Sequence, residues 1–148
     1  MICFILLIGL VFCGEKNIDH TQEKEWKNIG VLLVNHGSHS KKWREVLYEF
    51  DENVRNSILK KPKIYDVKTA HMEYTEPSIA AKLKEFDVEG FDEIVVIPIF
   101  LTVSSHYSHD IPVMCSLSAD SKIKAELAKE KIEVYLPKAK VIISSPLD

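Results

Sequence analysis

The run "NIGVLLVNHG" at 28–37 is apolar on consecutive positions rather than alternate ones, and "DEIVVIPIFL" at 92–101 repeats the pattern. A strand with no wet face must be covered on both sides, which demands flanking layers. The chain supplies them. From 41 to 61, Trp43, Val46, Leu47, Phe50, Val54 and Ile58 recur mostly at three- and four-residue intervals, which predicts a helix with one dry face, closed by Pro62. "KIYDVKTAHME" reads as a strand through its β-branched residues, and "TEPSIAAKLKEFDVEG" as a helix with Thr75 as cap, Pro77 in the first turn and Gly90 at the end. A helix around 121–131 and short strands at "IEVYLP" and "KVIISSPL" complete the series. Alternation of this kind implies right-handed crossovers, so the predicted fold is α/β: three layers, with a mostly parallel central sheet flanked by helices.

The chain has 148 residues, 46% of them hydrophobic, enough for a single core and one domain, placed at 28–148. Its net charge is −3 and its lysines are scattered, so no basic stripe points to nucleic acid. Ahead of that domain, residues 1–27 read as a leader and flexible segment. The apolar run from Ile2 to Phe12 has the length of a signal-peptide core, and Leu10-Val11-Phe12-Cys13 resembles a lipoprotein box with Cys13 as a lipid anchor. That reading favours the cell envelope or periplasm over the cytoplasm; an N-terminal strand or a misplaced start codon is the alternative. The cysteines are Cys3, Cys13 and Cys115, which gives no internal disulfide framework and no Cys-x-x-Cys zinc site. At the other end "KAKVIISSPLD" closes on a strand with no helix after it, the pattern of a C-terminally truncated domain.

In parallel α/β sheets, ligands sit beyond the carboxyl ends of the strands. His36 follows the first predicted strand, Glu73 ends the second, and His106 lies in the loop after the third, so the topology gathers all three at one edge. Two neutral imidazoles and a carboxylate suit cobalt, nickel, iron or zinc, and so small a ligand set leaves coordination positions open. The same histidines can act as bases, since an ordinary imidazole titrates near neutral pH. Each residue also has a plain structural reading. A strand-end histidine is commonly a turn residue, and Glu73 can cap the following helix. His71, two residues before Glu73 on the same strand face, is a pocket-lining candidate, while His39 and His109 read as exposed or supporting and His20 as inert. Ser38, Ser104 and Ser105 offer hydroxyls to carboxylate groups of a substrate, or serve turn chemistry. Asp110 either caps the segment that begins at Ile111-Pro112 or orients His106.

Three blocks in order, "LLVNHGSHSKKWREVL", "AHMEYTEPSIAAKL" and "DEIVVIPIFLTVSSHYSHDIP", resemble the signature blocks of the class II sirohydrochlorin chelatases, over roughly residues 29 to 113. The resemblance implies a chelatase-like fold and insertion of Co²⁺ or Fe²⁺, less often Ni²⁺, into sirohydrochlorin, with no nucleotide hydrolysis and no organic cofactor. It assigns metal binding to His36 and to His106, which stands three residues before Asp110, and places the family's glutamate on Glu73. It also implies a homodimer, because larger members fuse two such units. Where members often carry a glycine-rich loop before the second histidine, this chain has Val103-Ser104-Ser105. A non-catalytic envelope protein that binds metal or tetrapyrrole is the alternative. A histidine phosphatase is a poor match, because Asn35 stands where an arginine would hold phosphate, and a serine hydrolase lacks its Gly-x-Ser-x-Gly elbow.

Overall fold

The computed structural model describes residues 27–100 and 106–145, the side chains of His106 and Tyr107 excepted. Residues 1–26, with Cys13, residues 101–105, with Ser104 and Ser105, and the last three residues therefore lie outside the described residues. Four strands, β1 (Ile29–Asn35), β2 (Ile64–His71), β3 (Glu93–Pro98) and β4 (Lys140–Ile143), form one sheet in the order β2-β1-β3-β4, and every pairing is parallel. β1 is central, and its Val31, Leu32, Leu33 and Val34 are all buried, as an all-apolar strand requires. Helix α1 (Lys41–Leu59) follows β1, α2 (Ile79–Glu89) follows β2, and the short α3 (Ile111–Met114) and α4 (Ser121–Lys129) follow β3.

Strand alternation divides the core in two. Leu32, Val34, Ala70, Ile94 and Val96 face α2, α3 and α4, with Leu83 and Phe86 of α2 fully buried among them. Val31, Leu33 and Val67 face the other way, toward Val54, Ile58 and Leu59 of α1. The N-terminal half of the same α1 stripe stays exposed: Trp43 is 43%, Val46 47% and Phe50 41% accessible. By the same alternation Val95, Ile97 and Ile142 belong to the face that α1 covers only in part, and Ile142 is 37% accessible. Among the described residues, no helix is long and apolar enough to cross a membrane.

Three local expectations are corrected. "IEVYLP" is not a strand: residues 132–137 run without regular structure, and Ile132, Val134 and Tyr135 pack their side chains against the core without joining the sheet. The cap of α2 is Ser78, whose hydroxyl accepts from Ala81 N, rather than Thr75; the Pro77 carbonyl pairs with His71 N at 2.8 Å and keeps the chain extended up to Ser78. Asp110 occupies the cap position of α3 but makes no side-chain cap bond, because its backbone is already helical (φ −74°, ψ −49°). Gly90 does end α2, in the left-handed conformation at φ 77°.

The irregular stretch before β4 is tied down by Asp87 of α2. Its carboxylate accepts from Lys138 N at 3.0 Å, Ala139 N at 3.3 Å and the Tyr135 hydroxyl at 2.8 Å. Burial works against the charge, but these donors outweigh it and hold the Asp87 carboxyl below the ordinary carboxylate range. A group with a depressed folded pKa stabilises above its unfolded pKa and loses that contribution as pH falls through the folded value. Asp87→Ala is expected to cost about 2 kcal/mol at neutral pH, and the gap from wild type should close below about pH 4. Urea unfolding at pH 7 and pH 3 tests this; a gap of equal size at both values would refute it.

Candidate functional site

The carboxyl ends of β1 and β2 are joined beyond their last residues. Met72 N donates to the Asn35 carbonyl at 3.0 Å, and Glu73 N donates to the His36 carbonyl at 3.1 Å. These two bonds set His36 beside Glu73 at the level of the main chain. Gly37 follows at φ 83°, and a Cβ built there would lie 2.1 Å from the Glu73 carbonyl oxygen. Only glycine fits where the first loop crosses the second.

His36 and Glu73 are both half-buried. Tyr74, at φ 64°, faces both imidazoles of the first loop, its ring centroid 5.6 Å from that of His36 and 4.4 Å from that of His39. The Tyr74 phenol is pushed above its ordinary range, first by its hydrogen bond to Glu73 and by that carboxylate's charge, with burial and Glu130 adding. His39, exposed as expected, is part of this surface. Ser38 serves the turn into α1, its Oγ accepting from Ser40 N at 3.0 Å and its carbonyl from Arg44 Nη1 at 2.7 Å, which leaves its hydroxyl proton to donate.

The third expected residue enters from the neighbouring strand. After β3 the chain reaches a π-helical turn, His106–Asp110, which runs directly into α3. His106 thus stands at the start of a helical turn rather than in an open loop. π-helical turns are rare and frequent at functional sites. α3 is anchored by the fully buried Ile111, Val113 and Met114, so the turn is seated on the core. A cavity of about 330 Å³ opens between this turn, the β2 loop and α4, lined by Glu73, His109, Asp110, Glu126, Leu127 and Glu130. Four carboxylates and an imidazole around one cavity favour cations. Glu126 and Glu130 are additions to the sequence reading, and their four-residue spacing on one helix face is the local signal for them. Among the described residues, no three His, Cys, Asp or Glu side chains by themselves form a group that could hold a metal.

His71 ends β2 fully buried at 1% accessibility, its Nδ1 2.6 Å from Asn35 Oδ1 and its ring edge-on to Tyr48 at 6.0 Å. Burial pushes its pKa down, Arg44 adds to this and Glu76 opposes it, which keeps the ring neutral. Cys115 is buried with its thiol pushed up to about 12 by burial, and is inert at neutral pH.

Comparison with known proteins places the chain in a family and matches its fold. The CbiX family model matches residues 30–148. A sirohydrochlorin cobaltochelatase of Sulfurisphaera tokodaii is 32% identical, over 72% of this chain and 93% of its own length. One from Methanococcoides burtonii is 33% identical, over 64% of this chain and 70% of its own. Among solved structures, a cobalamin-biosynthesis CbiX protein of Marinobacter aquaeolei superposes with a TM-score of 0.54 at 21% identity, over 80% of this chain and 81% of its own. The sirohydrochlorin chelatase SirB of Bacillus subtilis subspecies spizizenii, in complex with cobalt, gives a TM-score of 0.57 at 22% identity, and there this chain spans 43% of the longer protein. These two structures share the all-parallel α/β fold. With the family model covering most of its length, the chain belongs to the CbiX family of class II sirohydrochlorin chelatases.

Proposed function

We propose that the chain inserts a divalent metal, Co²⁺ or Fe²⁺, into sirohydrochlorin or a related tetrapyrrole. The observation that carries this reading is the joining of His36 to Glu73 across the ends of β1 and β2, with the His106 turn following the adjacent β3. Insertion exchanges two pyrrole protons for one metal ion. It therefore needs donors that hold the ion without filling its coordination sphere, and bases that take the protons. Imidazoles at His36 and His106 serve both ends, and Glu73 adds a charged oxygen donor. The carboxylates of Asp110, Glu126 and Glu130 raise the local concentration of the incoming cation. Ser38, Ser104 and Ser105 are the proposed contacts for the macrocycle's carboxylates.

A second copy of the chain completes the cleft. Two features support this: the exposed apolar stripe of Trp43, Val46 and Phe50, and the doubled length of SirB, of which this chain spans 43%. The apolar segment that ends at Cys13 favours one other reading, a non-catalytic envelope protein that binds metal or tetrapyrrole. One set of measurements separates them. Purified protein is mixed with sirohydrochlorin and Co²⁺, Fe²⁺ or Ni²⁺, metallation is followed by absorbance, and the same sample is weighed by sedimentation. Multiple turnovers and a dimer mass are expected. Stoichiometric binding without turnover would replace the enzyme by the binding protein, and a monomer mass would remove the second copy.

A further inference from the structure

Asn35 and His71 are cross-strand neighbours on the last rung of β1 and β2. Gly37 N donates to Asn35 Oδ1 at 3.0 Å, which fixes the amide's orientation, because a backbone N–H donates only to the oxygen. The His71 Nδ1 that meets the same oxygen at 2.6 Å must then carry the proton and donate. Among the described residues the other ring nitrogen, Nε2, has no hydrogen-bond partner, so the Asn35 bond is the ring's polar attachment. Asn35 Oδ1 in turn closes a small ring of atoms around His36: Asn35 precedes it, Gly37 follows it, and the amide bridges the two. His71 holds that bridge from below the surface, its own Cβ 3.3 Å from where a Gly37 side chain would begin.

We propose that His71 is a positioning residue for His36: by donating from Nδ1 to Asn35 Oδ1 it locks the Asn35–Gly37 turn and so aims the His36 imidazole at the incoming metal. The inference rests on the proposed role of His36 as a metal donor. A partner that orients a metal-binding side chain typically contributes tenfold or more to affinity, because a donor that must be reordered on binding loses what a fixed one keeps.

The test is calorimetric binding of Co²⁺ alone, without macrocycle, to wild type, His36→Ala, His71→Leu and His71→Asn, with thermal unfolding of each. Asn places its amide nitrogen where the histidine Nδ1 stood, whereas Leu keeps bulk and loses the donor. His71→Leu should weaken cobalt binding about 10-fold or more, while His71→Asn stays within about threefold of wild type. Both should melt lower, since both lose the ring packed on Tyr48. Cobalt affinity that tracks melting temperature instead of the donor would overturn the proposal and leave a structural role. Wild-type affinity in His71→Leu, with binding lost in His36→Ala, would overturn it alone. Wild-type affinity in His36→Ala would overturn the metal-donor reading and this proposal with it. If His71→Leu does not fold, His71→Gln replaces it, because its amide reaches the Nε2 position and cannot donate at Nδ1; equal affinity in the Gln and Asn variants would then be the refuting result.

Discussion

His36→Ala should lower kcat/KM for cobalt insertion into sirohydrochlorin by about 100-fold or more, and His106→Ala should do the same. The expectation follows from what each imidazole is asked to do. A donor that holds the ion beside the macrocycle and a base that takes a pyrrole proton are lost together when one ring is removed, and water replaces neither at a fixed position. At His36 the loss is local, since the loop is still held by the bond from Glu73 N to the residue-36 carbonyl and by Asn35, both independent of the ring. The variant should therefore stay folded, giving up only what the ring itself contributes, and a circular dichroism melt separates lost chemistry from lost fold. If both alanine variants metallate the macrocycle at the wild-type rate, the two histidines are not the insertion machinery.

The fold was legible wherever a single physical demand dominates. An apolar β1 must be covered on both faces, and it is; a periodic stripe from Trp43 to Ile58 must be a helix, and α1 spans Lys41–Leu59. The misreadings fall where two demands share one signal. Ile132, Val134 and Tyr135 have strand-like side chains, but that propensity measures fit to a half-buried surface and not the presence of a neighbouring strand. Those side chains are partly buried against the core, and the backbone hydrogen bonds from this stretch run from Ile132 N to the Leu127 carbonyl and from Tyr135 N to the Met114 carbonyl instead of into the sheet. Thr75 and Ser78 are equal as cap residues, and the tertiary bond from His71 N to the Pro77 carbonyl decides between them. At the site, the ordering of His36, Glu73 and His106 along one edge follows from parallel topology alone. The contributions of Glu126, Glu130 and Tyr74 do not, because they depend on where α4 and a left-handed turn come to rest against the strand ends.

Gly37→Ala should be strongly damaging for so small a substitution. Two costs combine at this residue. A left-handed φ of 83° is unfavourable for alanine by about 1–2 kcal/mol. The new methyl would also stand 2.1 Å from the Glu73 carbonyl oxygen, a backbone atom that cannot rotate away. Relief requires the loops of His36 and Glu73 to part, which breaks the 3.1 Å bond between them and separates two of the proposed metal donors. A total loss of about 3 kcal/mol is expected, with cobalt insertion falling further than stability explains. Gly90→Ala is the matched control. Its φ of 77° carries a similar strain, but nothing lies within 4 Å of the added methyl, so it should cost only about 1 kcal/mol and leave insertion unchanged. Urea unfolding and the absorbance assay on both variants decide it. Equal stability losses at the two glycines would mean that the crossing of the first two loops is not rigid, and that the site is assembled by something other than the contact between them.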